Sequence, residues 1–187
     1  MDSFSIILVV VLLILVILSA FFSGSETSIM ALNQIKLDNA EKQGNKSAKI
    51  INSLRKEINR VLGVILIGNN LVNISASALL TFFVIKKFGD EYVWIGTLLL
   101  TIFIIIFAEI APKSFAAKRP ESIAYPASRI LKVLTKYLGS FSEILTNISN
   151  SLTGIKNNEN YFSENLNRDE LKSVLEKETK EVDKEEM

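Results

Sequence analysis

The sequence predicts an all-α membrane protein with three transmembrane helices and an amphipathic juxtamembrane belt helix after them. Hydrophobic residues make up 49% of the 187 residues and are gathered into long blocks. A helix needs about 20 mainly apolar residues to cross a bilayer, and three of these blocks are long enough. The charged residues lie mainly between and after the blocks, where they determine the direction in which each block crosses.

The composition excludes several kinds of chemistry. The chain has no Cys and no His, so it cannot form disulfides, thiolate zinc sites, cysteine nucleophiles or histidine acid–base pairs. Its formal net charge of +1 argues against a nucleic-acid-binding protein. A bound metal would have to be held by oxygen ligands, which favours hard cations such as Mg²⁺ or Ca²⁺.

The predicted spans cover about residues 4–28, 61–85 and 92–111. The first begins with an uncharged apolar run that could also be a signal peptide. It has no basic residue before it, is long for a signal sequence and lacks a clear cleavage site, which favours a retained span. The second span contains Asn and Ser but no charge, and the third contains a single charged residue, Glu109.

Lysine and arginine residues predict the orientation of the spans. The loop 31–60 is rich in them, and we expect one or two short cytosolic helices there, broken near Gly44. No basic residue precedes the first span, and several follow Lys113. The consistent arrangement places the N-terminus outside, the loop 31–60 inside, the turn 86–91 outside and the C-terminus in the cytosol.

Residues 121–152 have apolar residues at helical spacing, while three basic residues fall off that stripe. This pattern predicts the amphipathic juxtamembrane helix, lying along the inner membrane surface. The alternative is a fourth span, which the basic residues disfavour. We expect a transmembrane domain over 1–152 and a cytosolic linker helix within 153–187, capped at Asn167.

Polar residues recur at helical spacing inside the first two spans. Ser19 and Ser23 are four residues apart, and Glu26 continues their line if the helix extends that far. Gly24 would let another backbone approach, or let the helix unwind and free a carbonyl. In the second span the following residues form one stripe: Asn70, Asn73 and Ser77.

Glu109 is the residue that most needs an explanation, because a carboxylate at membrane depth is costly unless it is compensated. Pro112 cannot donate a hydrogen bond one turn back, which predicts a free carbonyl oxygen at Ala108. Glu109 could pair with Lys113 or reach the membrane interface, and the Ser and Asn residues could simply bond neighbouring helices. Alternatively, oxygens from three helices gather around a cation. Mg²⁺ fits such ligands, and Na⁺ is a serious competitor.

Three stretches carry a family resemblance: FFSGSETSIMAL after the first span, IGNNLVNISAS in the second, and FAEIAPKSFAAKRPE in the third. Together they resemble the transmembrane domain of the CNNM/CorC (cyclin M) magnesium transporter family. The resemblance implies three transmembrane helices, a belt-like juxtamembrane helix, homodimers in the cell (plasma) membrane and a role in Mg²⁺ export, coupled to Na⁺ in some members.

Site residues follow from the same resemblance. It implies an ion site made by these residues: Ser19, Ser23, Asn73 and Glu109. Residues implied as its neighbours are Gly24 with locally unwound backbone, Ser25, Asn70, Ser77, Pro112 and Lys113. Glu26, the remaining neighbour, is expected to pair with a basic residue on the inner side.

Members of this family usually continue into a pair of cytosolic CBS domains that bind ATP, so we expect this chain to be part of a longer protein. The alternative is a natural protein without the nucleotide-sensing part. No phosphate-binding loop occurs in it, and ATP would act only through those absent domains. The predicted function is a Mg²⁺ transporter with alternating access. The alternative is a Mg²⁺-sensing membrane scaffold that does not transport. An intramembrane hydrolase is disfavoured because no general base accompanies Ser and Lys, so we expect no enzyme activity.

Overall fold

The computed structural model describes residues 3–153, and every regular element in that range is helical. The helices are α1 (Ser3–Ala31), α2 (Gln34–Lys42), α3 (Lys46–Lys56), α4 (Ile58–Phe88), α5 (Val93–Phe103), α6 (Ala111–Lys118) and α7 (Pro120–Thr153). A 3₁₀ turn precedes α5 (Asp90–Tyr92), and a π-helical segment joins α5 to α6 (Ile104–Ile110).

Three helical stretches are long and apolar enough to cross a membrane, which confirms the predicted count. They are Ser3–Ala31, Ile58–Phe88 and Asp90–Lys118. The third comprises the 3₁₀ turn, α5, the π-helical segment and α6 in one continuous helical stretch. All three extend beyond the predicted bounds, because the apolar run sets the part inside the bilayer while the helical backbone continues past it. The helix α1 runs through Gly24 without a break, so the expected unwinding there is wrong.

Two short helices, α2 and α3, form the predicted pair in the loop after the first span. Each begins at an asparagine: Asn33 accepts a hydrogen bond from the Lys36 amide, and Asn45 accepts from the next helix's first amides. Such side-chain caps satisfy amides that have no partner inside the helix. Gly44 separates the helices with φ of +86°, a conformation that favours glycine, which confirms the break expected there.

The core forms around α1, which packs against α4, α6 and the π-helical segment. One buried cluster joins α1 and α4 to α7 through side chains that include Ile29, Val61 and Leu131. A second cluster joins the end of α1 to α2, α3 and the start of α7, with Leu37 and Ala124 at its centre. The first span and the residue directly after it therefore contribute to the two buried clusters, whereas α5 packs against α4 and the π-helical segment.

The predicted juxtamembrane helix is α7, and within the described residues it is not among the membrane-spanning stretches. Its expected apolar stripe divides in two: Ala127 and Leu131 are buried, while Ile130 and Phe141 are exposed. Burial and then the nearby Glu121 carboxylate raise the pKa of the Tyr125 hydroxyl. Residues 1–146 form one compact unit. The expected Asn167 cap lies outside the described residues.

Candidate ion site among the membrane-spanning helices

Three serines in the second half of α1 have side chains buried inside the protein. Ser19, Ser23 and Ser25 are 0%, 1% and 0% exposed. Ser19 donates a hydrogen bond to another helix, but the hydroxyl oxygens of Ser23 and Ser25 have no hydrogen-bond partner within the described residues 3–153. A buried hydroxyl without a partner costs free energy, and such groups are uncommon in native proteins. Ser23 was a predicted ligand, and Ser25 a predicted neighbour.

The asparagines of α4 differ from one another in burial and in hydrogen-bond partners. Ser19 Oγ donates to Asn69 Oδ1 at 2.9 Å, although sequence reasoning gave Asn69 no role. Asn73 is half-buried, and its Oδ1 is buried with no hydrogen-bond partner in the part of the chain that the structure describes. Asn70 is exposed and Ser77 half-buried. The structure therefore brings Asn69 into contact with α1, buries the side-chain oxygen of Asn73 one turn later, and leaves Asn70 exposed.

The face that carries Asn69 could have been found from the sequence. Gly68, Val72 and Ala76 are buried, and their spacing of four residues defines the side of α4 that packs inward. Asn69 and Asn73 each follow one of these residues directly. The predicted stripe was drawn through polar residues alone, so it included Asn73 and Ser77 but took Asn70 in place of Asn69.

Glu109 lies in the π-helical segment Ile104–Ile110, just before Pro112. It is half-buried, and no hydrogen bond or ion pair to it occurs in the described part of the chain. The segment packs against α1. A π-helix pairs each carbonyl with the fifth residue along rather than the fourth, and such segments occur frequently at functional sites. Because the hydrogen-bond register changes here, the free carbonyl expected at Ala108 stays a prediction.

The residues after the π-helical segment contact the C-terminal part of α1. Lys113 Nζ lies 3.4 Å from Glu26 Oε2, which confirms that Glu26 pairs with a basic residue. The alternative in which Lys113 neutralises Glu109 is not what the structure has. A Cβ placed on Gly24 would lie 3.6 Å from Pro112 Cβ, so α1 and α6 approach closely at this glycine.

These groups together offer oxygen ligands without the usual cluster of acids. Within residues 3–153 there is no group of three or more Asp, Glu, His or Cys side chains able to hold a metal. What the predicted spans 4–28, 61–85 and 92–111 supply instead is one carboxylate with no ion pair to the described residues, on Glu109, and buried oxygens without partners on Ser23, Ser25 and Asn73. Oxygen donors of this kind suit hard cations.

Comparisons with known proteins agree with this architecture. Residues 10–186 match the family described as the cyclin M transmembrane N-terminal domain. The chain is 41% identical over 161 residues to the UPF0053 inner membrane protein YfjD of Escherichia coli, covering 84% of this chain and 37% of that protein. It is 44% identical over 129 residues to a UPF0053 protein of Haemophilus influenzae, covering 69% and 31%.

A relative from a plant is also similar. The chain is 34% identical over 159 residues to a chloroplastic DUF21 domain-containing protein of Arabidopsis thaliana, covering 84% of this chain and 24% of that protein. The chain thus spans between about a quarter and two fifths of the length of these relatives. Since the family match runs through nearly the whole sequence, this chain is a member of the cyclin M transmembrane domain family.

Proposed function

We propose that this domain binds Mg²⁺ among its three spans and carries it across the membrane by alternating access, as an exporter. The observation that supports this most is the set of buried oxygens on two spans without partners, together with an unpaired carboxylate on the third. Structural polar groups in membrane helices normally bond to a neighbouring helix, as Ser19 does with Asn69. Groups left without such a bond are suited to a ligand that enters and leaves.

The choice of Mg²⁺ follows from the ligands. Ser23 and Asn73 supply neutral oxygens, and Glu109 supplies the only carboxylate among the proposed ligands, so a bound divalent ion keeps a net positive charge. Its affinity should be modest, which helps a transporter to release its cargo. Na⁺ could occupy the same oxygens at slightly longer distances, and we propose it as the coupling ion. Transport, rather than an enzymatic reaction, is the proposed activity.

We also propose the membrane in which the domain works, its oligomeric state and its regulation. Apolar helices place the domain in a lipid membrane, and we propose the cell membrane, since the similar Escherichia coli protein is described as an inner membrane protein. We propose a homodimer as the working unit. The relatives are much longer than this chain, and we propose that their remaining length includes nucleotide-binding CBS domains that regulate transport.

A flux measurement tests the proposal. Purified protein in proteoliposomes loaded with a Mg²⁺-sensitive dye should move Mg²⁺ down an imposed gradient. We expect Glu109→Gln to lower the rate at least about tenfold, because a single charge-assisted ligand contributes more than 1.4 kcal/mol. The matched control is Glu91→Gln, the same substitution at an exposed residue in the turn before α5.

The same proteoliposomes distinguish a transporter from a scaffold. A wild-type protein that gains thermal stability with Mg²⁺ but moves none would support the sensing scaffold instead. Equal rates for wild type and Glu109→Gln would remove Glu109 from the proposed ion path. Dimeric size in detergent and an unchanged unfolding temperature without Mg²⁺ would show that the variant is folded.

A further inference from the structure

The position of α7 is set by contacts at the ends of two spans. It begins at Pro120, directly after the third span ends at Lys118. Near its start, Ile123 Cγ2 would lie 3.7 Å from a Cβ on Gly24 of α1. Further along, Ser142 Oγ donates to the carbonyl oxygen of Arg60, in the first turn of α4, at 3.4 Å. Because α7 contacts the C-terminal part of α1 and the N-terminal turn of α4, it runs along one surface of the membrane.

One face of α7 is packed against the other helices, and the opposite face carries large, exposed apolar side chains. Ser128, Leu131 and Thr135 are buried against the other helices. On the outer side, Tyr137 is 73% exposed, the highest value in this set. The exposed apolar side chains are Ile130, Val133, Tyr137, Phe141, Ile144 and Leu145. We call these six residues the outer apolar face.

Three basic residues run along the border of the outer apolar face. Arg129, Lys132 and Lys136 occupy positions i, i+3 and i+7, which lie on one line of a helix. All three are exposed, and no ion pair involves them in the described part of the chain. We call them the basic stripe. The acidic Glu143, which would continue the line, lies 3.4 Å from Arg60.

We propose that α7 binds anionic phospholipids, with the outer apolar face at the acyl-chain boundary and the basic stripe on the headgroup phosphates. Helices that combine an apolar face with Lys and Arg at its border lie in the membrane interface, and each cation near an anionic surface adds to the attraction. The stripe therefore selects lipids by charge, so the domain collects anionic lipids around α7.

Charge favours lipid over a second copy of the chain as the occupant of this face. Between Lys118 and Thr146 the chain has five basic residues and two acidic ones, Glu121 and Glu143. Two such helices would repel each other. Anionic headgroups complement the same charge, and they are already present at the membrane surface along which α7 runs.

Brominated lipids measure the proposed selection directly. The native chain has no Cys, so Ser140→Cys on the exposed side of α7 gives a single site for a fluorescent label. The labelled protein is reconstituted in equal parts of phosphatidylglycerol and phosphatidylcholine, with bromine on the acyl chains of one or the other. We expect brominated phosphatidylglycerol to quench at least about twofold more, because the three cations attract it.

Substitutions, salt and a second labelling site test whether the basic stripe causes this preference. Replacing Arg129, Lys132 and Lys136 by Gln should equalise the two quenching values, as should high salt. Replacing Lys46, Lys49 and Lys56 of α3 by Gln removes the same charge from exposed positions elsewhere, and the preference should persist. A label at exposed Leu99, within the third span, should show no preference. Thermal unfolding confirms that each variant is folded.

The remaining outcomes overturn the proposal. Equal quenching by both lipids in the labelled protein with its native basic stripe would show that α7 does not select anionic lipid. Absence of quenching by either lipid would place the outer apolar face against protein, such as a second copy. A preference that survives the Gln substitutions would assign the selection to other residues.

Discussion

Two asparagines one turn apart on α4 differ in their partners. Asn69 Oδ1 accepts a hydrogen bond from Ser19 at 2.9 Å, while Asn73 Oδ1 is buried and has no partner among the described residues. The first arrangement joins two spans, and the second leaves an acceptor desolvated. Although the two side chains are chemically identical, substitution should affect stability at the structural residue and Mg²⁺ binding at the ligand residue.

We expect Asn69→Ala to lower the free energy of unfolding by about 1–2 kcal/mol, because the buried Ser19 hydroxyl loses its acceptor. Asn73→Ala should leave stability without Mg²⁺ unchanged, since no bond is lost. It should instead reduce the rise in unfolding temperature that Mg²⁺ produces, because a ligand that binds the folded state stabilises it. Thermal unfolding in detergent with and without Mg²⁺ measures both effects. A Mg²⁺ response that is intact in Asn73→Ala would contradict its role as a ligand.

Gly68 of α4 has no room for a side chain. A Cβ there would lie 2.5 Å from Cζ of Phe22, whose ring is itself buried and meets Phe21 edge-on. We expect Gly68→Ala to lower the free energy of unfolding by about 1–3 kcal/mol, since the ring must move within a packed core. Gly24→Ala is the control: its Cβ would meet Pro112 at 3.6 Å, an ordinary contact. Equal unfolding temperatures for the two variants would show that Phe22 adjusts freely.

At the scale of the elements, α3 closes the end of the first span. Arg55 Nε and Nη2 donate to the carbonyl oxygen of Ile29 at 3.2 and 2.7 Å, and Nη2 also donates to that of Leu32 at 2.6 Å. Carbonyls in the last turn of a helix have no partner within it, and a cation is favourable at that end. The short helices α2 and α3 thus hold the end of the same helix whose serines lie in the candidate site.

Removing the guanidinium should loosen this junction. We expect Arg55→Gln to lower the free energy of unfolding by about 2–3 kcal/mol, because buried carbonyls lose a charged donor. Arg55→Lys should recover little, since an ammonium group lacks the planar fork that reaches two carbonyls at once. Limited proteolysis within residues 31–60 and thermal unfolding are the measurements. The adjacent, exposed Lys56→Gln should behave as wild type, and so would Arg55→Gln if this cap were dispensable.

The elements were more predictable than the contacts between them. Hydrophobic blocks and the glycine at position 44 were sufficient to predict three spans and the broken loop. The π-helical segment at Glu109 was not predicted: Pro112 indicated a missing hydrogen bond one turn back, but not the change to π-helical register. The face of α4 that carries Asn69 could be found from the spacing of its packed residues, but the bond to Ser19 could not, because Ser19 is 50 residues away. The ligand roles of Ser23 and Glu109 stay predictions.

At the scale of the whole molecule, the direction in which the chain crosses the membrane decides how the site can work. The short turn between α4 and α5 and the helices α2 and α3 follow successive spans, so they lie on opposite sides of the membrane. Basic residues are concentrated around α2 and α3, which predicts that this side is the cytosol. The Glu26–Lys113 pair and α7 then lie at the cytosolic surface, and an exporter would load its ion from there.

Cysteine accessibility tests this orientation, because the native chain has no Cys that would react. We expect Asp90→Cys, in the exposed 3₁₀ turn, to react in intact cells with a maleimide that cannot cross membranes. Ser53→Cys, at an exposed position of α3, should react only after the cells are permeabilised. The reverse pattern would invert the topology and make the same loading step occur from outside. Reaction of both sites in intact cells would mean that the chain inserts in two orientations, and charge would then not determine its direction.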